Sequence, residues 1–467
     1  MTFVLGWGLS TTFADADTPT KLHGLMIAAT GWFTITIFGS LPFLTISWIV
    51  INTPATTVTP PPSSSVEALA NPLNALFESM SGFTGTGLTM VPDEGTLPHT
   101  VQWWRSLTEW IGGVGVIVLT TAALVRPGAE SFTLYKSEAR SQKIHPSIVS
   151  TVRTVWWIYV FFTSLSILVL WLAGLPLWHA INHGMTAIST GGFAVIDGSI
   201  GAYNNPLIEL VLLPIMIAGG IAFPVHYLVL QDDFHGLYDD LQTRWFAAVL
   251  FIGTIFLCLG VLPAYDGAAE ALQYSGFQFV SAVTATGFQT ATDPAPRSLF
   301  TWPTVALLIM VFRMVIGAAA GSTAGGIKII RLAMPVKGIR FQILSVFYPG
   351  SAVRRLQFDD RILDKKEAPR EVGKAVIISL LWLVFLTMSV FILILVLPDD
   401  AYPLEMILFE VASAQGNVGI STGITGPESL PAIRKVTFMM NLWIGRFEII
   451  PALLTVRKLF LWRDIYE

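Results

Sequence analysis

Four short stretches rich in glycine and hydroxyl residues carry the chemistry open to this chain: TGTGLT (Thr84 to Thr89), AISTGGF (Ala187 to Phe193), TATGFQT (Thr284 to Thr290) and QGNVGIS (Gln415 to Ser421). None contains a charged side chain, so what each offers a ligand is backbone carbonyl oxygen. A ring of such carbonyls can replace the water shell of a dehydrated cation. Glycine suits that task because a residue without Cβ takes positive φ and turns its carbonyl inward without steric cost. Taken singly, each stretch reads as an ordinary turn between helices; together they superpose on Gly87, Gly191, Gly287 and Gly419. The residue nine positions earlier is then Glu78, Asn182, Gln278 or Glu410, and the residue ten earlier is Phe77, Ile181, Phe277 or Phe409. Glu78 and Glu410 either draw cations to an entrance or cap and brace the segment that carries them.

That segment, before each loop, is a moderately apolar run of about a dozen residues, too short to cross a bilayer and suited to a re-entrant half-helix. Four half-helices ending at the loops would point their partial negative C-terminal dipoles at a cation. Irregular backbone survives at membrane depth only where protein buries it or where it lines a watery path. The rest of the chain supplies that depth. It has 467 residues, 53% hydrophobic and 12% charged, against roughly 25% charged in soluble domains, and a mean hydropathy of +0.65. Apolar runs long enough to span, or nearly so, are Leu22 to Val50, Val101 to Val125, Val152 to Leu172, Leu207 to Leu230, Trp245 to Leu262, Trp302 to Val315, Val376 to Leu397 and Val436 to Leu454. The loops follow the first, third, fifth and seventh of them. Each repeat reads as span, half-helix, loop, span: an all-α integral membrane protein of four such units around a central path.

Basic residues set the orientation. Arg126, Lys136, Arg140, Lys143 and Arg153 lie between the second and third spans, and Arg331 through Lys374 between the sixth and seventh. Residues 51–100 and 175–205, on the other side, contain no Lys or Arg. Both termini are therefore expected in the cytoplasm of a multi-pass cell-membrane protein. The acidic loop with Asp232, Asp233, Asp239 and Asp240 dissents, but acids weigh little in that rule. Ala14-Asp15-Ala16 resembles a signal cleavage site, yet Phe3 to Leu9 is too short for its apolar region and no basic residue precedes it. Cys258 has no second cysteine to pair with, which excludes a disulfide framework.

The sixth span is followed at once by VIGAAAGSTAGGIKII (Val315 to Ile330), where four glycines within the run make a broken helix the expectation; close helix packing through small residues is the alternative. Arg446 falls inside the eighth span, where an arginine needs water or a partner. Facing the path, it would raise the barrier to cations. Glu448, two residues on, faces elsewhere. Arg313 is intramembrane without an assigned role beyond snorkelling or pairing with a carbonyl. His179 and His183 have no nearby Cys or carboxylate cluster, which makes a metal site weakly supported. GWGLS and GGVGVI lack the strand–loop–helix setting of a phosphate loop, no span carries a catalytic constellation, and nothing indicates a nucleic-acid partner. An enzyme is not expected. A secondary transporter with broken helices at the midplane is the competing class; it implies inverted repeats related in pairs, whereas these four run in one sense.

From about Lys21 onward the chain resembles the TrkH/KtrB potassium-translocating family, whose superfamily includes fungal Trk and plant HKT proteins. SGFTGTG, WRSLTEWIGGVGVIVL (Trp104 to Leu119), GSTAGGIK (Gly321 to Lys328), QGNVG and GRFE (Gly445 to Glu448) carry the resemblance. It implies a pseudo-fourfold pore for K+ within one chain, pairing of two chains as a homodimer, and no covalent cofactor. Carried over, the filter carbonyls belong to Gly85, Thr86 and Gly87; Ser189, Thr190 and Gly191; Ala285, Thr286 and Gly287; and Asn417, Val418 and Gly419. A serine at the first-repeat glycine goes with sodium transport in the plant branch, so Gly87 favours potassium. The resemblance also implies an intramembrane gate at Gly321, Ser322, Thr323, Gly325, Gly326 and Lys328, to which Arg446, from its place inside the eighth span, adds a second piece. It implies a cytosolic nucleotide- or NAD-binding regulatory subunit, for which the basic loop Arg331 to Lys374 is the natural dock, a lipid-attracted positive face being the other reading. Glu109 stands where the family more often has an uncharged polar residue. Residues 21–125, 151–231, 244–332 and 372–467 are the expected repeats, with a short segment 1–20 before them and a cytoplasmic linker 333–371. Trk-type members usually carry a further leading helix pair, so either that pair is reduced here or the start is late.

Overall fold

Apolar runs too long for a soluble core become long helices here, and a short helix follows four of them. The computed structural model describes residues 2–14, 21–53, 63–125, 148–292, 298–348, 356–358, 361–363, 367–396, 402–427, 430–447, 449 and 453. After α1 (Thr2–Thr12), the first group is α2 (Lys21–Asn52), the one-turn α3 (Ser64–Leu69), α4 (Pro72–Thr84) and α5 (His99–Val125). The second is α6 (Ile148–Leu172), α7 (Leu177–Ile188), α8 (Pro206–Gly220) and α9 (Phe223–Leu230), followed by α10 (His235–Asp239). The third is α11 (Leu241–Val261), α12 (Ala268–Thr284), α13 (Thr304–Val315) and α14 (Ile329–Ser345). The fourth is α15 (Glu367–Val396), α16 (Leu404–Gly416) and α17 (Ala432–Phe447). A small antiparallel hairpin, β1 (Leu356–Phe358) with β2 (Arg361–Leu363), is the one pair of strands among the described residues, beside an isolated parallel bridge between Ile316 and Ile327; its Leu356 and Leu363 pack on Ala333 and Met334 of α14.

Local chemistry sets the short helices. Asn71 accepts from Leu73 N and Pro72 occupies the first helical position, so one free amide of the first turn is capped and another is absent. Helix α4 has 13 residues and is about 20 Å long at 1.5 Å per residue, well short of a roughly 30 Å hydrocarbon core. Three of the four short helices end on a left-handed residue, Gly85, Ala285 or Asn417, which turns the chain back sharply.

Packing runs in a circle. Each short helix rests on the long helix before it, as α4 on α2, α7 on α6 and α12 on α11. Each group also touches the next: α5 meets α7, α8 meets α12, α13 meets α16, and α17 returns to α4. Polarity is arranged inside out. Glu78, Ser81, His183, Gln278, Ser281 and Glu410 on the short helices are fully buried, while Trp157, Phe251 and Leu395 on the long ones are 64%, 71% and 82% exposed. An apolar girdle around a polar interior is a membrane protein's surface. Among the described residues four helical stretches, Ala29–Asn52, Ser150–Leu172, Leu241–Ala264 and Glu367–Val396, are long and apolar enough to cross, and the bent pair α8 and α9 makes a fifth if taken as one span.

Two expected spans differ from straight helices. The run Leu207 to Leu230 is bent by 106° between α8 and α9. Pro224, at the start of α9, disfavours a helical Ala222–Phe223 junction, and Phe223 N leaves the helix ladder to donate to Gly321 O at 3.1 Å. The run around Trp302 to Val315 yields only the 12-residue α13. Arg126, Lys136, Arg140, Lys143, Arg354, Arg355, Lys365, Lys366, Glu448 and the basic C-terminal residues lie outside the described residues.

Candidate ion path

The four loops meet at the centre of the circle. Gly87, Gly192, Gly287 and Gly419 share φ between +84° and +89°. A Cβ on Gly87 would lie 2.3 Å from Gly191 O; on Gly192, 2.0 Å from Thr286 O; on Gly287, 2.0 Å from Val418 O; on Gly419, 1.9 Å from Thr86 O. Each glycine thus sits against the carbonyl that precedes the glycine of the next loop, and the fourth contact closes the ring. No side chain fits at these four positions without displacing backbone.

This geometry corrects the register expected for the second loop. Its ring residues are Thr190, Gly191 and Gly192, one later than Ser189, Thr190 and Gly191. The cause is the end of α7. Ser189 is still right-handed, and the left-handed residue is Thr190 (φ 52°), matching Gly85, Ala285 and Asn417. The closing hydrogen bonds agree: Thr86 N to Ser81 O, Gly191 N to Thr186 O, Thr286 N to Ser281 O and Val418 N to Ser413 O, all 2.9 Å. Counting nine back from Gly192 reaches His183 rather than Asn182.

On one side of the ring lies a cavity of about 100 Å³, with all four glycines on its wall together with Glu94 and Arg105. Glu78 and Glu410 do not face it as free acids; they brace. Glu78 accepts from Met90 N (2.8 Å), the Thr89 hydroxyl (2.9 Å) and Arg105 Nε (2.8 Å). Glu410 accepts from Thr422 N (2.7 Å), the Ser421 hydroxyl (2.7 Å) and Thr425 N (3.1 Å). Gln278 accepts from Thr290 N at 2.9 Å. Glu94, in the connection after the first loop, is the titratable acid at the rim. Burial pushes its carboxyl up to about 7, against the lowering pull of the Arg105 guanidinium 3.9 Å away.

On the opposite side, residues 316–328 leave helix between α13 and α14 and cross beneath the ring. Thr323 is the hub. Its hydroxyl accepts from the Thr190 hydroxyl (2.9 Å) and lies 3.0 Å from Gly219 O and 3.3 Å from Ile188 O, while its carbonyl accepts from Arg446 Nη1. Arg446 also donates to Gly112 O at 3.2 Å, and its guanidinium lies 3.5 Å from where a Cβ of Gly85 would be. Gly325 is pressed against Asn417, whose amide donates to the Thr86 hydroxyl (2.9 Å) and Leu442 O (2.9 Å). Gly321 O takes the Phe223 amide, the Ser322 hydroxyl donates to Ala319 O at 2.6 Å, Gly326 is left-handed, and Lys328 Nζ donates to Ala324 O. The expected crossing residues and Arg446 are therefore brought together under the ring. Arg313 pairs with backbone, donating to Val283 O (3.3 Å) and Gly317 O (3.4 Å).

His179 and His183 converge on the Tyr203 hydroxyl, at 2.6 and 3.0 Å, and among the described residues no group of three or more His, Cys, Asp or Glu could hold a metal ion. Sequence reasoning missed Gln102 and Arg105 as site residues. Their signal was there: Gln102, Arg105 and Glu109 recur at helical spacing on an otherwise apolar run.

Comparison with known proteins identifies the family and the fold. The family profile described as TrkH, cation transport protein, matches residues 40–463. An uncharacterized cation transporter of Methanocaldococcus jannaschii is 34% identical over 446 residues, covering 94% of this chain and 83% of that protein. The Trk system potassium uptake protein TrkH of Salmonella typhimurium is 30% identical over 454 residues, 95% and 86% of the two chains. The crystal structure of the potassium transporter TrkH from Vibrio parahaemolyticus superposes with a TM-score of 0.79 at 23% identity, covering 99% of this chain and 91% of that one.

Proposed function

Because this chain belongs to the TrkH family of cation transport proteins, we propose that it takes up potassium across the cell membrane through the ring of four glycine loops. The observation that carries the reading is the closed ring itself, each left-handed glycine against the carbonyl of the next loop. The ligands would be carbonyls of Gly85, Thr86 and Gly87; Thr190, Gly191 and Gly192; Ala285, Thr286 and Gly287; and Asn417, Val418 and Gly419. Transport needs no covalent chemistry: carbonyl dipoles replace water around the ion, and the short helices add their negative ends. Residues 316–328 with Arg446 form the gate. As drawn together here, Thr323 and the guanidinium obstruct the inner side of the ring, and movement of the segment away from Thr190 and Arg446 would open it.

We extend the reading to a homodimer with both termini cytoplasmic, controlled by a cytosolic nucleotide-binding subunit that docks on the basic stretch Arg331 to Lys374. Charge reversal at Arg354, Arg355 and Arg361 should abolish that docking; binding that survives it counts against the assignment. The transport reading is tested by potassium, rubidium and sodium flux in proteoliposomes, native chain against Gly87→Ser. The serine Cβ would fall 2.3 Å from Gly191 O at φ +84°, so discrimination against sodium should be lost. Absence of any cation flux from the native chain refutes the proposal.

A further inference from the structure

We infer that Glu109 is a positioning residue for the second glycine loop, holding from α5 a loop that its own short helix leaves unheld; the inference rests on the potassium-path reading. In the other three loops the amide three residues past the ring glycine is taken by the short helix: Met90 N by Glu78, Thr290 N by Gln278, Thr422 N by Glu410. The second loop breaks the rule. His183, at the matching position, turns Nε2 to Tyr203, and its Nδ1 has no partner among the described residues. The amide of its neighbour Asn182 donates to Trp178 O, and its Oδ1 is likewise unpartnered.

Helix α5 takes over. Phe193 N, the first amide past Gly192, donates to both carboxylate oxygens of Glu109, at 3.0 and 3.2 Å. Four residues earlier Arg105 Nη1 donates to Ala194 O at 2.8 Å, and three before that Gln102 Nε2 donates to Val195 O at 3.3 Å. The spacing places all three on one helix face, gripping three consecutive residues of the loop. The Arg105 guanidinium also covers the Phe193 ring, 4.2 Å from its centroid. Fit is reciprocal at Gly191, where a Cβ would lie 2.4 Å from the Glu109 carboxyl carbon. The carboxylate therefore backs the residue whose carbonyl faces Gly87. A buried carboxylate is a costly way to satisfy one amide, which fits a place where loop position matters more than stability.

The test is the potassium-to-sodium flux ratio in proteoliposomes for the native chain, Glu109→Gln and Glu109→Leu. Glutamine keeps an acceptor, as Gln278 does for Thr290 N, and should hold the ratio within about twofold; leucine removes it and should lower the ratio by roughly tenfold, the scale of one lost buried hydrogen bond. A role in folding alone would reduce yield in both variants and leave the ratio of the surviving protein unchanged. If Glu109→Leu does not purify as folded protein, Glu109→Ser, too short to reach Phe193 N, is read the same way. Native discrimination that persists in the leucine or serine variant overturns the inference alone. A native chain that does not discriminate potassium from sodium overturns the transport reading and this inference with it.

Discussion

Replacing Gly192 by alanine is the sharpest perturbation of the ring, because it separates the register observed from the one superposition suggested. At φ +86° an L-residue pays about 1–2 kcal/mol of left-handed strain, and the new Cβ would lie 2.0 Å from Thr286 O. Real Cβ contacts essentially never fall below 3.0 Å, so one of the two loops must retreat by about 1 Å and carry its ring carbonyl with it. Ser189→Ala is the control. Ser189 is right-handed and its buried hydroxyl donates to Thr186 O at 3.2 Å and pairs with the Tyr159 hydroxyl, away from the ring; its loss should cost about 1 kcal/mol of stability and leave the rubidium-to-sodium ratio within about twofold. Rubidium and sodium tracer uptake into proteoliposomes reads both. Gly192→Ala should cut rubidium uptake and the rubidium-to-sodium ratio by at least about tenfold, the factor set by some 1.4 kcal/mol. Discrimination retained in Gly192→Ala but lost in Ser189→Ala would refute the ring as described here.

Glu78→Leu leaves Arg105 buried with Glu94 no nearer than 3.9 Å, which should cost about 3–5 kcal/mol; denaturation of the purified protein checks it, and Glu78→Gln should cost less. Arg446→Gln removes the charged donor to Thr323 O and Gly112 O and should raise basal flux of the purified chain by roughly tenfold or more; unchanged basal flux would remove Arg446 from the proposed gate. Glu94 carries the pH dependence. With its carboxyl held at about 7, it is neutral below that pH and negative above it, so uptake at low potassium should rise, by up to roughly threefold, as external pH passes upward through 7. Glu94→Gln should flatten that profile.

Much of this was legible in the sequence, for physical reasons. The ring glycines of three loops and the broken stretch at Val315 to Ile330 are set by local needs, positive φ and unfavourable helix; for Glu78 and Glu410 the sequence left entrance and brace both open, and the amides they satisfy decide for the brace. The second loop was misread because STGGF has two adjacent glycines, and residue type alone does not say where α7 stops. Only the αR conformation of Ser189 decides it. The role of Glu109 was hidden for a related reason, since its partner is the backbone of Phe193, 84 residues away, and a backbone amide leaves no mark on sequence. The 106° bend after α8 was masked by unbroken apolarity, although Pro224 marks it.

The circle of helices also has a direction in time. Chains are synthesised from the N-terminus, and early parts fold before late ones exist, yet the contacts that close this circle join its two ends. Lys435 reaches Asn74 across 361 residues, Asn417 reaches Thr86 across 331, and Trp443 reaches Ala29 O across 414. While the ribosome is still making α16 and α17, the buried polar face of α4 has no fourth wall and stands open to lipid or to the insertion machinery. The docking of α17 on α4 can therefore come only after both have been made, and a chain cut short before Ala432 would be an incomplete ring.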